Sequence, residues 1–280
     1  MLNGNIKCCL KIASWNCRQG LVLSDKTASS KITEIKNCLY SKGIHLFGVI
    51  EADIHNTKSR FINRQKLSTE DVRAILDIPG YKLVLPTSWN MYGQARIIMY
   101  AKDGVSVVFK ENKRMYDDLQ SISCEVRLNR EKRTVVNFFY REFTGCVSGL
   151  NSKISQNERL LRQIKLWNSQ AQGSKDVLYL GDSNLCYFNW NNEEYQNKEQ
   201  VDMVKKFMLE SNIEQMMTGH TRAEIGRGGN VIKSCIDHVF TNSSEKINAS
   251  TANIGDSDHL GLIVEKRIGV REGRQNLIRK

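Results

Sequence analysis

The sequence predicts an α+β domain, and three observations lead there. Short apolar runs alternate with amphipathic stretches through most of the chain. The composition, 40% hydrophobic, 25% charged and 8% aromatic, matches soluble globular protein and sets aside disordered, collagen-like and disulfide-scaffold alternatives. Residues 7–265 contain no Pro/Gly/Ser-rich linker, so the 280 residues read as one domain, 1–265, followed by a basic tail from Lys266 to Lys280.

The elements follow in order. Cys8 to Trp15 is a strand, and Lys26 to Lys42 a helix because Ile32, Ile35 and Leu39 recur at helical spacing. Ile44 to Glu51 is a buried strand. Between Tyr81 and Tyr140 the pattern gives antiparallel strands near 81–86, 94–101, 104–110, 119–128 and 133–140. Asp103-Gly104 is a hairpin signal among them, and the charged Asn129–Arg133 stretch a further turn. Ser155 with Glu158 resembles a capping box, opening a helix with Leu160, Leu161, Ile164 and Trp167 on one face. Asp176 to Leu180 is a short buried strand. Val201 to Glu210 is a helix with Met203, Val204, Phe207 and Met208 inward, and three more strands fall near 232–240, 247–254 and 259–265.

Forty-one Lys and Arg against thirty Asp and Glu give a formal charge of +11, which favours a polyanionic partner: nucleic acid, an anionic membrane surface or a phosphorylated substrate. No apolar run approaches the roughly 18 residues of a membrane span, and lysines and cysteines stand in Met1–Trp15 where a signal peptide has its apolar core. An intracellular protein without membrane partners is expected. The eight cysteines form no C-x-x-C pair and no zinc-spaced cluster, so they read as small buried hydrophobes.

Chemistry concentrates at strand ends. Val177–Leu180 runs into Gly181-Asp182-Ser183-Asn184, where alternation points Asp182 and Asn184 to one side. A carboxylate and an amide so placed suit a water to be deprotonated or a hard cation, and Gly-Asp-x-Asn is equally a good turn. Apolar strands also deliver Asn16, Glu51 and Asp237-His238, while Asp256-Ser257-Asp258-His259 precedes the final strand. Any one of these is a common cap or turn residue. Their order is the informative feature.

Ser14-Trp15-Asn16-Cys17-Arg18, Glu51, Tyr140-Arg141-Glu142, Gly181-Asp182-Ser183-Asn184, Thr221, Ser234-Cys235-Ile236-Asp237-His238 and Ser257-Asp258-His259, taken together, resemble the endonuclease/exonuclease/phosphatase superfamily. Within it the sequence is most similar to the apurinic-type endonuclease domain of non-LTR retrotransposons, over residues 8–265. The resemblance implies a four-layer α/β sandwich: two packed, mostly antiparallel β-sheets flanked by helices, with the site at one edge. It implies Glu51 and Asn16 on the metal side, with Asp258 supporting the metal or the leaving oxygen, and Mg²⁺ or Mn²⁺ as cofactor. Asp182 takes the proton of the attacking water and Asn184 orients that water. Tyr140 donates to a non-bridging oxygen or assists the leaving group, and His259, braced by Asp237, stabilises the phosphorane. Thr221 and Ser234 match flanking hydroxyl positions that touch phosphate or support those that do. Two departures stand out: Ala52 follows Glu51 where Thr is usual, and Ser183 replaces an apolar residue.

Between Thr221 and Ser234 lies a glycine-rich segment with Arg222, Arg227 and Lys233. No Gly-Lys-Ser/Thr follows, so it is not a P-loop. In the similar domains it is a surface hairpin entering the minor groove, which implies phosphate or groove contacts for these three side chains; a solvated hairpin is the plain alternative. The expected activity is metal-dependent nicking of double-stranded DNA to leave a 3′-hydroxyl that primes reverse transcription, in the nucleus, by a reverse transcriptase domain of the same parent polypeptide. A same-fold phosphodiesterase acting on RNA, phosphoinositide or sphingomyelin, or a catalytically silent nucleic-acid-binding module, are the competing readings. Trp15, Trp89 and Trp167 sit in apolar patterns and read as core, while Trp190 stays open between core and base stacking.

Overall fold

Each long apolar run becomes a strand, and its period of two assigns one face to each of two different cores. The computed structural model describes residues 9–18, 20–59, 63–109, 120–127, 133–141, 155–171 and 176–268. In chain order these form β1 (Cys9–Asn16), α1 (Lys31–Lys42), β2 (Leu46–His55), α2 (Thr69–Ile75), β3 (Tyr81–Val84), α3 (Thr87–Tyr92), β4 (Gln94–Lys102), β5 (Val107–Phe109), β6 (Gln120–Arg127) and β7 (Arg133–Tyr140). Then come α4 (Gln156–Ala171), β8 (Val177–Asp182), α5 (Lys198–Glu210), β9 (Glu214–Gln215), β10 (Arg222–Ile225), β11 (Val231–Ser234), β12 (Asp237–Thr241), β13 (Ile247–Ala252) and β14 (Gly261–Arg267).

Two six-stranded sheets result, in the orders β13-β14-β1-β2-β4-β3 and β5-β6-β7-β8-β12-β9, and β10-β11 form a separate hairpin. Only β1–β2 and β7–β8 are parallel. Both sheets therefore have the same plan, a central strand with one parallel and one antiparallel neighbour. Leu10 and Ile12 of β1, Phe138 of β7, and Leu178 and Leu180 of β8 meet in the core between the sheets. The alternate residues face the helices: Ala13 and Trp15 pack with α1, while Val177 and Tyr179 pack with Trp167 of α4 and Phe207 of α5. The result is the expected four layers, helices outside two mostly antiparallel sheets.

Several local expectations change. α1 begins at Lys31, not Lys26, because Asp25 accepts from both the N–H and hydroxyl of Thr27 and Lys26 takes a left-handed φ of 67°, closing a turn where the first helical turn was expected. Asp103-Gly104 does not close a hairpin, since β4 pairs with β2 and β3 whereas β5 pairs with β6; the turn carries the chain from one sheet to the other. The expected strand 232–240 breaks at Cys235-Ile236, its halves pairing with different partners. Two short helices escaped the apolar pattern: α2, with a Ser68/Asp71 capping box, and α3, between Pro86 and left-handed Gly93. Leu161 is exposed rather than inward. The Asn129–Arg133 turn lies mostly outside the described residues, as do Glu142 and positions 269–280.

The domain also reaches past residue 265. β14 continues to Arg267, and Lys266, assigned to the tail by its charge, is 1% exposed. Its ammonium bonds Asp176 and Ser243, each at 2.8 Å, tying the first sheet to the start of β8. A buried lysine is tolerable only with such partners.

Gly181 shows how tightly the strand leading to the site is packed. A Cβ there would overlap the carbonyl of Phe139 on β7, an obstacle of backbone rather than flexible side chain. Gly181→Ala is therefore expected to destabilise the protein by about 1–3 kcal/mol, read as a lowered urea midpoint at unchanged m-value.

Candidate active site

The topology gathers one end of six strands. β1, β2, β7 and β8 finish at that end, while β12 and β14, antiparallel to their neighbours, begin there. Parity does the rest. The register that buries Leu178 and Leu180 between the sheets aims Asp182 into the same gap, as Ile12 does for Asn16, Phe138 for Tyr140 and Val239 for Asp237. Asn16, Asp182, Asp237 and His259 are all at most 5% exposed, polar groups closing the end of an apolar core.

The Asn16 amide joins the sheets. Its Nδ2 donates to Glu51 Oε1 at 2.9 Å and to Asp182 Oδ2 at 3.1 Å, and its Oδ1 accepts from the Arg18 N–H at 3.0 Å. Turning the amide over would face its oxygen to two carboxylates, so this orientation is fixed by its neighbours. Asn16 thus orients one carboxylate from each sheet.

Asp182 holds the second contact from its own turn: Oδ1 accepts from the Asn184 N–H at 2.7 Å. Asn184 has a left-handed φ of 52°, and its Nδ2 donates to the Arg141 carbonyl at 2.8 Å. Burial, reinforced by the negative charges of Asp237 and Glu51, raises the Asp182 pKa to about 7. Opposite it, His259 Nδ1 donates to Asp237 Oδ2 at 2.9 Å. Burial alone would favour neutral imidazole, but the Asp237 carboxylate outweighs it and raises the pKa to about 9. The neighbouring His238 is different: its Nε2–H donates to the Leu185 carbonyl at 2.9 Å, and burial lowers its pKa to about 4, leaving it neutral.

Asp258 is paired with two arginines. Its Oδ2 accepts from Arg222 Nε at 2.8 Å and pairs with Arg18 Nη1 at 2.9 Å. Burial raises its pKa, yet the Arg222 bond and the charges of His259 and Arg18 overcome this and hold it below the ordinary carboxylate value. The same contacts revise the hairpin. Arg222 is held by Asp258 and Glu224, whereas Arg227 and Lys233 project into solvent. Thr221 is fully buried, and its hydroxyl accepts from the N–H groups of Ile236 and Asp237, so it braces Asp237 and cannot meet DNA. Ser234 is half-buried at the hairpin base, opposite Arg222.

Arg96 was not foreseen. Its Nε pairs with Asp53 at 2.8 Å, its Nη2 stands 4.0 Å from Glu51 Oε2, and its guanidinium lies 4.7 Å from the Tyr140 ring centroid. It occupies the supporting role that Ala52 leaves empty beside Glu51. Its sequence context, the strand Gln94–Lys102, carries no signal of this, because only the bulge in β2 between Ile50 and Ile54 brings Glu51 and Asp53 against it. Trp190 is 4% exposed and packed on His238 and Phe240, which makes it core.

The oxygens present suit a hard divalent cation. Burial and the nearby charges of Asp237 and Glu51 raise the Asp182 pKa, and a bound cation would offset that cost. Asp182, Asp237 and His259 also bring ligand atoms within 4.8 Å of one another, but His259 already donates to Asp237 and is charged. Glu51, with Asp182 one hydrogen-bonded amide away, offers a further carboxylate to such a cation.

Two facing sheets with helices outside and acidic and imidazole groups at one shared end are the endonuclease/exonuclease/phosphatase fold, and this chain has it. Among solved structures it is similar to the endonuclease domain of TRAS1, a telomere-specific non-LTR retrotransposon, with a TM-score of 0.64 at 14% identity over 93% of this chain and 100% of that one. It is also similar to the Neisseria 3′ phosphatase NExo bound to a product DNA hairpin, with a TM-score of 0.60 at 12% identity over 92% and 99%. The Xenopus laevis APE2 catalytic domain gives 0.57 at 12% identity over 94% of each chain. No family model and no curated protein matches the sequence.

The Asp237–His259 pair makes a pH prediction. A histidine whose folded pKa is raised from 6.5 to about 9 contributes stability that is fully present below pH 6.5 and lost as pH rises through 9. Asp237→Asn should move the His259 titration, followed by imidazole NMR, down toward 6.5 or below and flatten that part of the stability curve.

Proposed function

We propose that this protein is a divalent-metal-dependent phosphodiester hydrolase, and specifically an endonuclease that nicks one strand of duplex DNA and leaves a 3′-hydroxyl. The observation that carries this reading is a buried carboxylate, Asp182, with ligand atoms within 4.8 Å of a buried imidazole, His259, that is held by Asp237. The first is a base able to take a proton from water at neutral pH. The second is a fixed positive charge where a pentacovalent phosphorane gathers negative charge. Asn16 and the Asn184 N–H hold the Asp182 oxygens, while Asn184 offers its remaining amide N–H to the attacking water or phosphate. Tyr140, steadied by Arg96 against its ring, supplies a phenol for a non-bridging or departing oxygen. A bound Mg²⁺ or Mn²⁺ at Glu51 supplies Lewis-acid stabilisation of phosphate charge.

The substrate assignment rests on charge and shape. A chain of +11 with exposed Arg227 and Lys233 beside the site attracts a polyanion. The same hairpin exposes Ile225 (79%), Val231 (62%) and Ile232 (51%), side chains suited to wedging at a groove. The likeness to the TRAS1 endonuclease domain supports a further reading: the 3′-hydroxyl primes reverse transcription by a reverse transcriptase domain of the same parent polypeptide, in the nucleus.

Supercoiled plasmid incubated with the protein and Mg²⁺ should convert to open circle. EDTA, Asp182→Ala and His259→Ala should each abolish conversion. A wild-type protein that binds duplex but never nicks it with Mg²⁺ or Mn²⁺ would leave a silent binding module or another phosphodiester substrate in place of this reading. Removing the charges of Arg227 and Lys233 together should lower the slope of log K against log salt by roughly 2 if both meet phosphates. Arg222, tied to Asp258 and Glu224, should change the slope less.

A further inference from the structure

We propose that Arg141 is a positioning residue for this reaction, a buried guanidinium that shapes the turn presenting Asp182 and Asn184. The inference rests on the hydrolase reading above and names the group that sets the geometry of its base. Arg141 follows β7 directly and is 3% exposed. Among the described residues no carboxylate forms an ion pair with it, an unusual state for a buried cation. Burial lowers its pKa to about 10, still well above neutrality, so the charge is retained.

Its donors go to one place. Nε donates to the Ser183 carbonyl at 2.5 Å and Nη2 reaches the Asn184 carbonyl at 3.4 Å, so the fork spans two successive peptide groups. Nη1 donates to Gln156 Oε1 at 2.8 Å, which fixes the plane of the guanidinium from the first turn of α4. The backbone of Arg141 completes the grip: its N–H donates to the Asp182 carbonyl at 2.9 Å and its carbonyl accepts from Asn184 Nδ2 at 2.8 Å. One residue therefore touches Asp182, Ser183 and Asn184 in turn.

The grip answers a specific difficulty. Asn184 carries a left-handed φ of 52°, uncommon for a non-glycine residue though better tolerated by Asn than by most, and its contacts select it here. That conformation puts the Asn184 N–H on Asp182 Oδ1 and so sets the carboxylate. A guanidinium bridging the carbonyls of Ser183 and Asn184 stabilises this arrangement over an ordinary turn. A lysine ammonium, a point donor without the planar fork, cannot hold both carbonyls and Gln156 in the same geometry. The cation also lies near enough to Asp182 for their charges to interact.

The test uses the full chain, with plasmid nicking and NMR as separate readouts. Arg141→Lys and Arg141→Met should lower kcat about 100-fold, the effect of a misplaced catalytic group, with KM within about twofold. In Arg141→Ala, ethylguanidinium at concentrations that leave the wild type folded should restore about tenfold of the loss, whereas Asp182→Ala should gain nothing. In Arg141→Lys, the Asn184 side-chain amide resonances should shift, a signal that needs no catalysis. If Arg141→Met and Arg141→Ala fail to fold, Arg141→Lys decides alone. A folded Arg141→Lys protein with wild-type kcat and unshifted Asn184 resonances overturns the proposal. A wild type that does not nick, together with a shifted Asn184 signal in Arg141→Lys, refutes the DNA-endonuclease reading while leaving the positioning role intact.

Discussion

The arrangement of this site depends on one side-chain amide. Asn16 belongs to the first sheet and Asp182 to the second, and the Nδ2 of Asn16 spans them while also holding Glu51. A neutral donor at this point has a particular consequence. Asp237 has the His259 imidazolium, Asp258 has Arg18 and Arg222, and Asp53 has Arg96. Asp182 alone among these carboxylates is held by neutral N–H groups, those of Asn16 and Asn184. Burial, with the negative charge of Asp237 added, outweighs the opposing charge of His259, and the Asp182 pKa rises to about 7 while that of Asp258 falls. The base is distinguished from the other acids by the neutral donors on its oxygens.

Backbone conformation follows the same division. Arg18, Glu51, Asp53 and Asn184 all take left-handed φ values, and all lie in or beside the site. Three of them are anchored by basic side chains: Lys31 holds the Cys17 and Arg18 carbonyls, Arg96 holds Asp53, and Arg141 holds the carbonyl of Asn184. Conformations of this kind persist where surrounding structure over-determines them, and here basic side chains supply the determination. The abundance of Arg and Lys, which reads in sequence as a surface feature for polyanions, is thus partly an internal framework.

The alternation of apolar residues made both sheets, α4 and α5 legible, and the ordered strand-end polar residues made Asp182, Asp237 and His259 legible as a set. Less legible were the short helices α2 and α3, whose identity lies in caps and bounding Pro and Gly residues. The hydrogen-bond partners of Asn16 and Asp258 were not legible, because residue type is visible in a sequence whereas the direction of an amide or the partner of a carboxylate is not. Which of its two expected roles Thr221 takes was hidden for the same reason: a hydroxyl reads alike whether it faces phosphate or two backbone N–H groups.

The sequence by itself determined strand parity, and with it that Asn16, Tyr140, Asp182 and Asp237 share the facing side of two sheets, because a period of two is a local property of the chain. Tertiary structure alone decided which charges meet. Arg18, Arg96, Arg141 and Arg222 come from four separate segments, and each finds its oxygen only once segments distant in sequence have paired. Electrostatic pairing depends on distance and burial, both set by residues far apart in sequence, so the roles within the site emerge only when the fold is complete.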